Sequence, residues 1–180
     1  MKIFGVVGWK NSGKTTLIVK LVEEFVRRGY RVSTLKHAHH AFDIDRPGKD
    51  SYRHREAGAT EVLIASGARW ALVHELRDEP EPDLDELRTH IAPADLLLVE
   101  GFKKHDHPKI QVAWNGQDGD ILVHDDPSIR AVVTNVPDLK SIRPVIQIDA
   151  IEEIANFIAG EIGLGKKPID HRKEEKSRWA

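Results

Sequence analysis

The stretch Gly8-Trp9-Lys10-Asn11-Ser12-Gly13-Lys14-Thr15, with Thr16 directly behind it, leaves this chain few ways to fold. It has the spacing G-x-x-x-x-G-K-[ST], whose chemistry depends on what flanks it. Ahead of it, Lys2-Ile3-Phe4-Gly5-Val6-Val7 reads as a short buried strand. Behind it, Leu17, Ile18, Leu21, Val22, Phe25 and Val26 recur at helical spacing until Gly29. Strand, glycine loop and helix form a phosphate cradle. Backbone N–H groups wrap the anion, and the helix start adds its positive end. Gly8 and Gly13 let the backbone bend and come close. Asn11, Ser12 and Thr16 complete the expected nucleotide-binding loop. Lys14 is expected to neutralise the outer phosphates and Thr15 to offer its hydroxyl to Mg²⁺. The chain is therefore expected to bind a nucleoside triphosphate.

At 180 residues and 40 % apolar content, the chain suits one α/β domain over residues 1–162, with a charged tail over 163–180. A net charge of −2 gives no field for nucleic acid, so no such partner is expected. There is no cysteine, which removes disulfides, thiolate metal sites and a cysteine nucleophile. No export signal and no apolar run of some eighteen residues is visible, so the expected location is the cytoplasm, away from membranes.

Strands are expected at 31–36, 61–65, 70–74, 94–99, 109–112, 131–133 and 145–148, with another short apolar run at 121–123. Helices are expected near 51–57, at 84–91 capped by Asp83, and at 151–162. This alternation predicts a mostly parallel sheet flanked by helices, like that of P-loop NTPases. The pair 61–65 and 70–74 reads as a hairpin, an antiparallel extension. Ligand should gather at the carboxyl ends of the strands, after Val7, Lys36 and Val99.

Glu100 closes an apolar run, where a strand-end carboxylate can hold Mg²⁺ directly or through water. Lys14 and Glu100 are the expected catalytic residues. Asn135 and Asp138 have the spacing of the guanine-reading N-K-x-D motif, with Val136 in the lysine's place. A carboxylate there would accept from the N1–H and amine of guanine; a plain Asn-Pro-Asp turn explains the same residues. Between residues 37 and 50 lie His37, His39, His40, Asp43 and Asp45, with a Pro47-Gly48 turn. Asp45 or Asp43 is an expected outer Mg²⁺ contact, together with Thr15 and Glu100. The histidines are read either as a transition-metal set or as a solvated loop.

These residues resemble a family. The phosphate loop, Leu35-Lys36-His37-Ala38-His39-His40, Asp43-Ile44-Asp45-Arg46-Pro47-Gly48-Lys49-Asp50-Ser51-Tyr52 and Glu56-Ala57-Gly58-Ala59 look like MobB proteins. Leu97-Leu98-Val99-Glu100-Gly101-Phe102-Lys103 followed by Pro108-Lys109-Ile110 is similar to that family's later signature. MobB proteins are the adaptors of molybdopterin-guanine dinucleotide biosynthesis. The resemblance implies a GTP-binding homodimer with weak Mg²⁺-dependent GTPase activity. It implies work beside the guanylyl-transferring enzyme and molybdopterin. Carried over by position, Gly13, Lys14 and Thr15 take the phosphates and Mg²⁺, and Glu100 belongs to the second nucleotide element. A small-molecule kinase using ATP and a metallochaperone GTPase are the competing readings, the first drawing on Arg53, Arg55 and Lys103 as extra cations.

Overall fold

The structure is a computed structural model that describes residues 1–38, 42–114 and 122–167. In chain order it begins with β1 (Lys2–Gly8), α1 (Lys14–Arg27), β2 (Val32–Lys36) and α2 (Asp50–Glu56). A hairpin of β3 (Glu61–Ala65) and β4 (Trp70–His74) follows, then the short α3 (Leu84–Leu87). The chain continues through β5 (Leu96–Glu100), β6 (Lys109–Ala113), β7 (Ile129–Thr134), β8 (Val145–Gln147) and α4 (Ile151–Glu161). These elements fall into two compact units, one of Ala38–Thr89 and one of Met1–His37 with the chain from His90 onward.

The larger unit is a six-stranded sheet in the order β2-β5-β1-β6-β7-β8, parallel at every pairing. A parallel sheet is covered on both faces, so its central strands read as continuous apolar runs. Leu96, Leu97, Leu98 and Val99 are all fully buried. On one face Phe4, Val6, Leu96 and Leu98 meet Leu17, Leu21 and Phe25 of α1 and Ile154 and Ile158 of α4. On the other, Val7, Ala113, Ile129 and Val132 gather with Val123. Helical spacing alone puts Val26 on the apolar face of α1, but it remains 43 % exposed. A charged seam closes the helices: Glu24 accepts from Arg27 and Arg28, and Arg28 also donates to Asn156 at 2.8 Å. Beyond α4, the Gly165 carbonyl accepts from the Tyr30 hydroxyl and Lys167 pairs with Asp95 at 2.6 Å.

In the smaller unit β3 and β4 pair antiparallel, as a two-stranded sheet of their own. Arg55 is the hub there, its guanidinium meeting Asp43, Asp45 and Glu75. Asp83 caps α3, its carboxylate accepting from the Glu86 N–H at 2.8 Å. The helix expected through residue 91 is shorter, because its last turn tightens into a 3₁₀ segment, Arg88–His90. Of the apolar run expected at 121–123, the described part, Leu122–His124, is a 3₁₀ turn that buries Val123. Three residues cannot carry a ladder when Asp126 folds the chain back, accepting from the Ser128 N–H and hydroxyl. Among the described residues no helix is long and apolar enough to cross a membrane.

One close approach fixes β1 against β6. A Cβ on Gly5 would lie 2.4 Å from His107 Nε2 and 2.8 Å from Lys109 Cβ. Lys109 is buried but donates to the Lys103 and His105 carbonyls and pairs with Asp126. His107 Nε2 is buried and has no hydrogen-bond partner among the described residues. Burial, then the charges of Lys109 and His105, push this imidazole from its ordinary 6.5 down to about 4. The folded chain refuses a proton that the unfolded chain accepts below 6.5. Stability contributed here is complete above that pH and falls progressively toward pH 4. Urea unfolding at pH 7 and pH 5 should show this loss, and His107→Gln should flatten it; an unchanged slope in the variant would count against the assignment.

Candidate functional site

The loop between β1 and α1 is shaped by backbone that few residues adopt. Gly8 (φ 155), Asn11 (φ 64) and Gly13 (φ 86) all have positive φ. Gly8 is also sterically required, since a Cβ would meet the Val112 carbonyl oxygen at 2.6 Å and Ser12 Oγ at 2.8 Å. Gly13 is the N-cap of α1, so the helix begins at Lys14 with free N–H groups and the positive end of its dipole in the loop. Lys14 Nζ reaches back over the loop to donate to the Trp9 carbonyl at 2.5 Å and to Ser12 Oγ at 3.4 Å.

The parallel register of β1 and β5 sets Val6 opposite Glu100, and that of β2 and β5 sets Lys36 opposite Glu100. The carboxylate therefore arrives where α1 starts. It accepts from the Thr15 hydroxyl at 3.1 and 3.2 Å and pairs with Lys36 Nζ at 3.2 Å. Beyond it, Gly101 (φ 94) and Phe102 (φ 51) turn the chain sharply. Phe102 lies against the His37 ring, centroids 4.8 Å apart, and Lys103 Nζ stands 4.3 Å from the centre of the Trp9 ring. Lys36, Lys103 and Glu100 all act electrostatically on Lys14, so three ammonium groups stand against one carboxylate around it, a surplus of positive charge suited to polyphosphate. Burial lowers the Lys14 pKa from the usual lysine range; Glu100 opposes this, while Lys103 and Lys36 add to it.

Thr15 and Glu100 place a hydroxyl and a carboxylate oxygen at one point, the hard-oxygen pair that Mg²⁺ uses alongside phosphates. Asp45 lies in the smaller unit, where both its oxygens accept from Arg55. His39 and His40 lie outside the described residues. Among the described residues no cluster of three or more His, Asp or Glu side chains could hold a metal. Asn135 and Asp138 follow the carboxyl end of β7, with Asp138 exposed at φ 54. Beside Gly13 opens a cavity of about 340 Å³ lined by Asn11, Thr16, Leu17, Lys20, Trp114, Ile148 and Asp149. Among the described residues neither Asn135 nor Asp138 lines it.

Sequence reasoning did not single out Lys36, Trp114 or Asp149. Lys36 is only one basic residue at a strand end until the β2–β5 register sets it beside Glu100. Trp114 and Asp149 stand just past β6 and β8 and have no motif of their own.

A family model described as MobB, Molybdopterin guanine dinucleotide synthesis protein B, matches residues 3–135. The chain belongs to the MobB family. It is 41 % identical over 159 residues to the Molybdopterin-guanine dinucleotide biosynthesis adapter protein of Haemophilus influenzae, covering 87 % of this chain and 86 % of that one. It is 40 % identical over 155 residues to the protein of the same name from Escherichia coli, with 83 % and 87 % covered. The crystal structure of a MobB protein homolog from Bacillus stearothermophilus superposes with a TM-score of 0.69 at 31 % identity, over 91 % of this chain and 99 % of that one. The P-loop NTPase-like sheet and the small antiparallel sheet are thus the architecture of MobB structures.

Within this MobB-family site, Glu100 is the charge that raises the Lys14 pKa. Glu100→Gln should therefore lower it further, read by NMR titration of lysine ¹³Cε resonances. An upward shift would contradict the geometry.

Proposed function

We propose that this chain binds GTP with Mg²⁺ and serves as an adaptor in molybdopterin guanine dinucleotide formation, hydrolysing GTP only slowly. The observation that carries the nucleotide reading is the Thr15–Glu100 hydrogen bond at the mouth of the glycine loop. In this reading the N–H groups at the start of α1 and the Lys14 ammonium hold the phosphates, and Thr15 and Glu100 hold Mg²⁺. The ion would neutralise phosphate charge as the nucleotide binds. Glu100 is already engaged by Thr15 and Lys36, so it orients neighbouring groups more readily than it takes a proton from water, which fits slow turnover.

The adaptor role rests on membership in the family and on the names of its relatives. Its partners in this reading are the guanylyl-transferring enzyme and molybdopterin, and the absence of cysteine fits the reducing cytoplasm. We further propose a homodimer. The β3–β4 hairpin supports it, exposing Leu63 (63 %), Trp70 (64 %) and Leu72 on one face, an apolar set that calls for a covering surface.

Lys14→Ala should weaken GTP binding by on the order of ten- to a hundredfold, the range for losing a charge-assisted hydrogen bond, with the fold intact by circular dichroism. Thr15→Ala should remove chiefly the Mg²⁺-dependent part of the affinity. Wild-type GTP affinity in a folded Lys14→Ala chain would overturn the assignment. Sedimentation equilibrium should find a dimer that Leu63→Glu with Trp70→Glu converts to monomer; a wild-type monomer at micromolar concentration would remove the dimer.

A further inference from the structure

The cavity beside Gly13 has a donor and an acceptor paired at its rim. Lys20 Nζ lies 3.5 Å from Asp149 Oδ1, and both residues line the cavity, the Asp149 carboxylate facing solvent at 88 % exposure. The backbone that carries it is held: the Ala150 N–H donates to the Gln147 carbonyl at 3.0 Å and the Ile151 N–H to the Asp149 carbonyl at 2.9 Å. Ile148, next to it, is tied to β7 through the Thr134 carbonyl at 2.8 Å. Trp114 supplies a broad aromatic wall and Leu17 a buried apolar one. A volume of about 340 Å³ sits at the small end of ligand pockets, enough for a planar base. A Cβ on Gly13 would lie 3.9 Å from both the Trp114 ring and Ile148 Cδ1. The cavity therefore begins where the glycine loop ends.

We infer that this cavity is the base site, and that the Lys20–Asp149 pair reads guanine there, in place of Asn135 and Asp138. The inference rests on the nucleotide reading above and deepens it. The Lys20 ammonium donates to guanine O6 while the Asp149 carboxylate accepts from N1–H and the 2-amino group. Adenine presents the reverse order, an amine donor toward the ammonium and a bare N1 acceptor toward the carboxylate. Both contacts then repel, which builds rejection of ATP into the same two side chains that favour GTP. The indole of Trp114 stacks on the base face, a contact indifferent to base identity. Asp149 lines this cavity and Asp138 does not.

Calorimetric titration with GTP, ITP, XTP and ATP in Mg²⁺, on the wild-type chain and on Asp149→Asn, Asp138→Asn and Lys20→Met, tests the inference. Wild type should prefer GTP to ATP and XTP by about tenfold or more, with ITP between, because a site built for specific hydrogen bonds rejects analogues that leave them unpaired. Asp149→Asn should weaken GTP about tenfold and strengthen XTP about tenfold, since the new amide donates to the xanthine 2-oxo group. That gain cannot arise from misfolding. Lys20→Met should shrink the GTP-to-ATP ratio. The inference fails if Asp149→Asn keeps the wild-type order while Asp138→Asn turns toward XTP, which would return base reading to Asp138. Equal wild-type affinity for GTP and ATP would also overturn it, leaving triphosphate binding at Lys14 intact. If the wild-type chain binds none of the four, the nucleotide reading itself is lost.

Discussion

The hydrogen bond between the Thr15 hydroxyl and the Glu100 carboxylate spans 85 residues of sequence, and the site depends on it. It exists because β1 and β5 are neighbours in parallel register, so both strands deliver their carboxyl ends to one edge. Parallel pairing of this kind needs both faces covered, which α1 and α4 do on one side with Leu17, Leu21, Phe25, Ile154 and Ile158. Each fully buried side chain of that size contributes roughly 1.5–3 kcal/mol, so the core can hold a polar edge whose groups are set for a ligand and not for stability. At that edge Glu100 is paired with Lys36, and Lys14 donates to the Trp9 carbonyl and Ser12 Oγ.

Glycines tie the core to the site at two places. At Gly5, β1 comes so near β6 that only a hydrogen fits against His107 and Lys109. That contact draws a buried ammonium and an imidazole to one side of the sheet, and the protein answers with carbonyls and Asp126 for the lysine. At Gly8 the same strand meets the Val112 carbonyl as it turns into the loop. The loop is therefore packed on the strand that Trp114 directly follows, and Trp114 lines the cavity beside Gly13.

The smaller unit follows a different physical logic. Its two-stranded sheet is too small to bury both faces, and Val62 is covered while Leu63, Ile64 and Trp70 are not. What orders its polar side is charge: Arg55 is held by Asp45 and Glu75 through hydrogen bonds that raise its pKa, while His74 is raised by Glu61 and Glu79. The acidic residues of 43–45, which the sequence offers as metal contacts, thus meet a guanidinium inside their own unit.

Much of this was legible beforehand, because local rules carry it. The glycine spacing, the apolar runs of β1 and β5, the helical period of α1 and the Asp83 cap are decided by residues within a few positions of one another. So is the family, whose signatures are contiguous stretches. What local rules cannot reach is register and strand order. The 3₁₀ turn at Leu122–His124 lies just ahead of Asp126, which accepts from Ser128 and from the distant Lys109. Lys36 became part of the site only because β2 lies next to β5 instead of β1. Asn135 and Asp138 could be noticed by spacing, whereas Trp114, Lys20 and Asp149 come from three separate elements that only the packed sheet brings around one cavity. The sequence alone determined that a glycine loop would join β1 to α1 and which strand would end in a carboxylate; the tertiary structure decided which other charges stand beside that carboxylate, because neighbours across a sheet are set by packing and not by order along the chain.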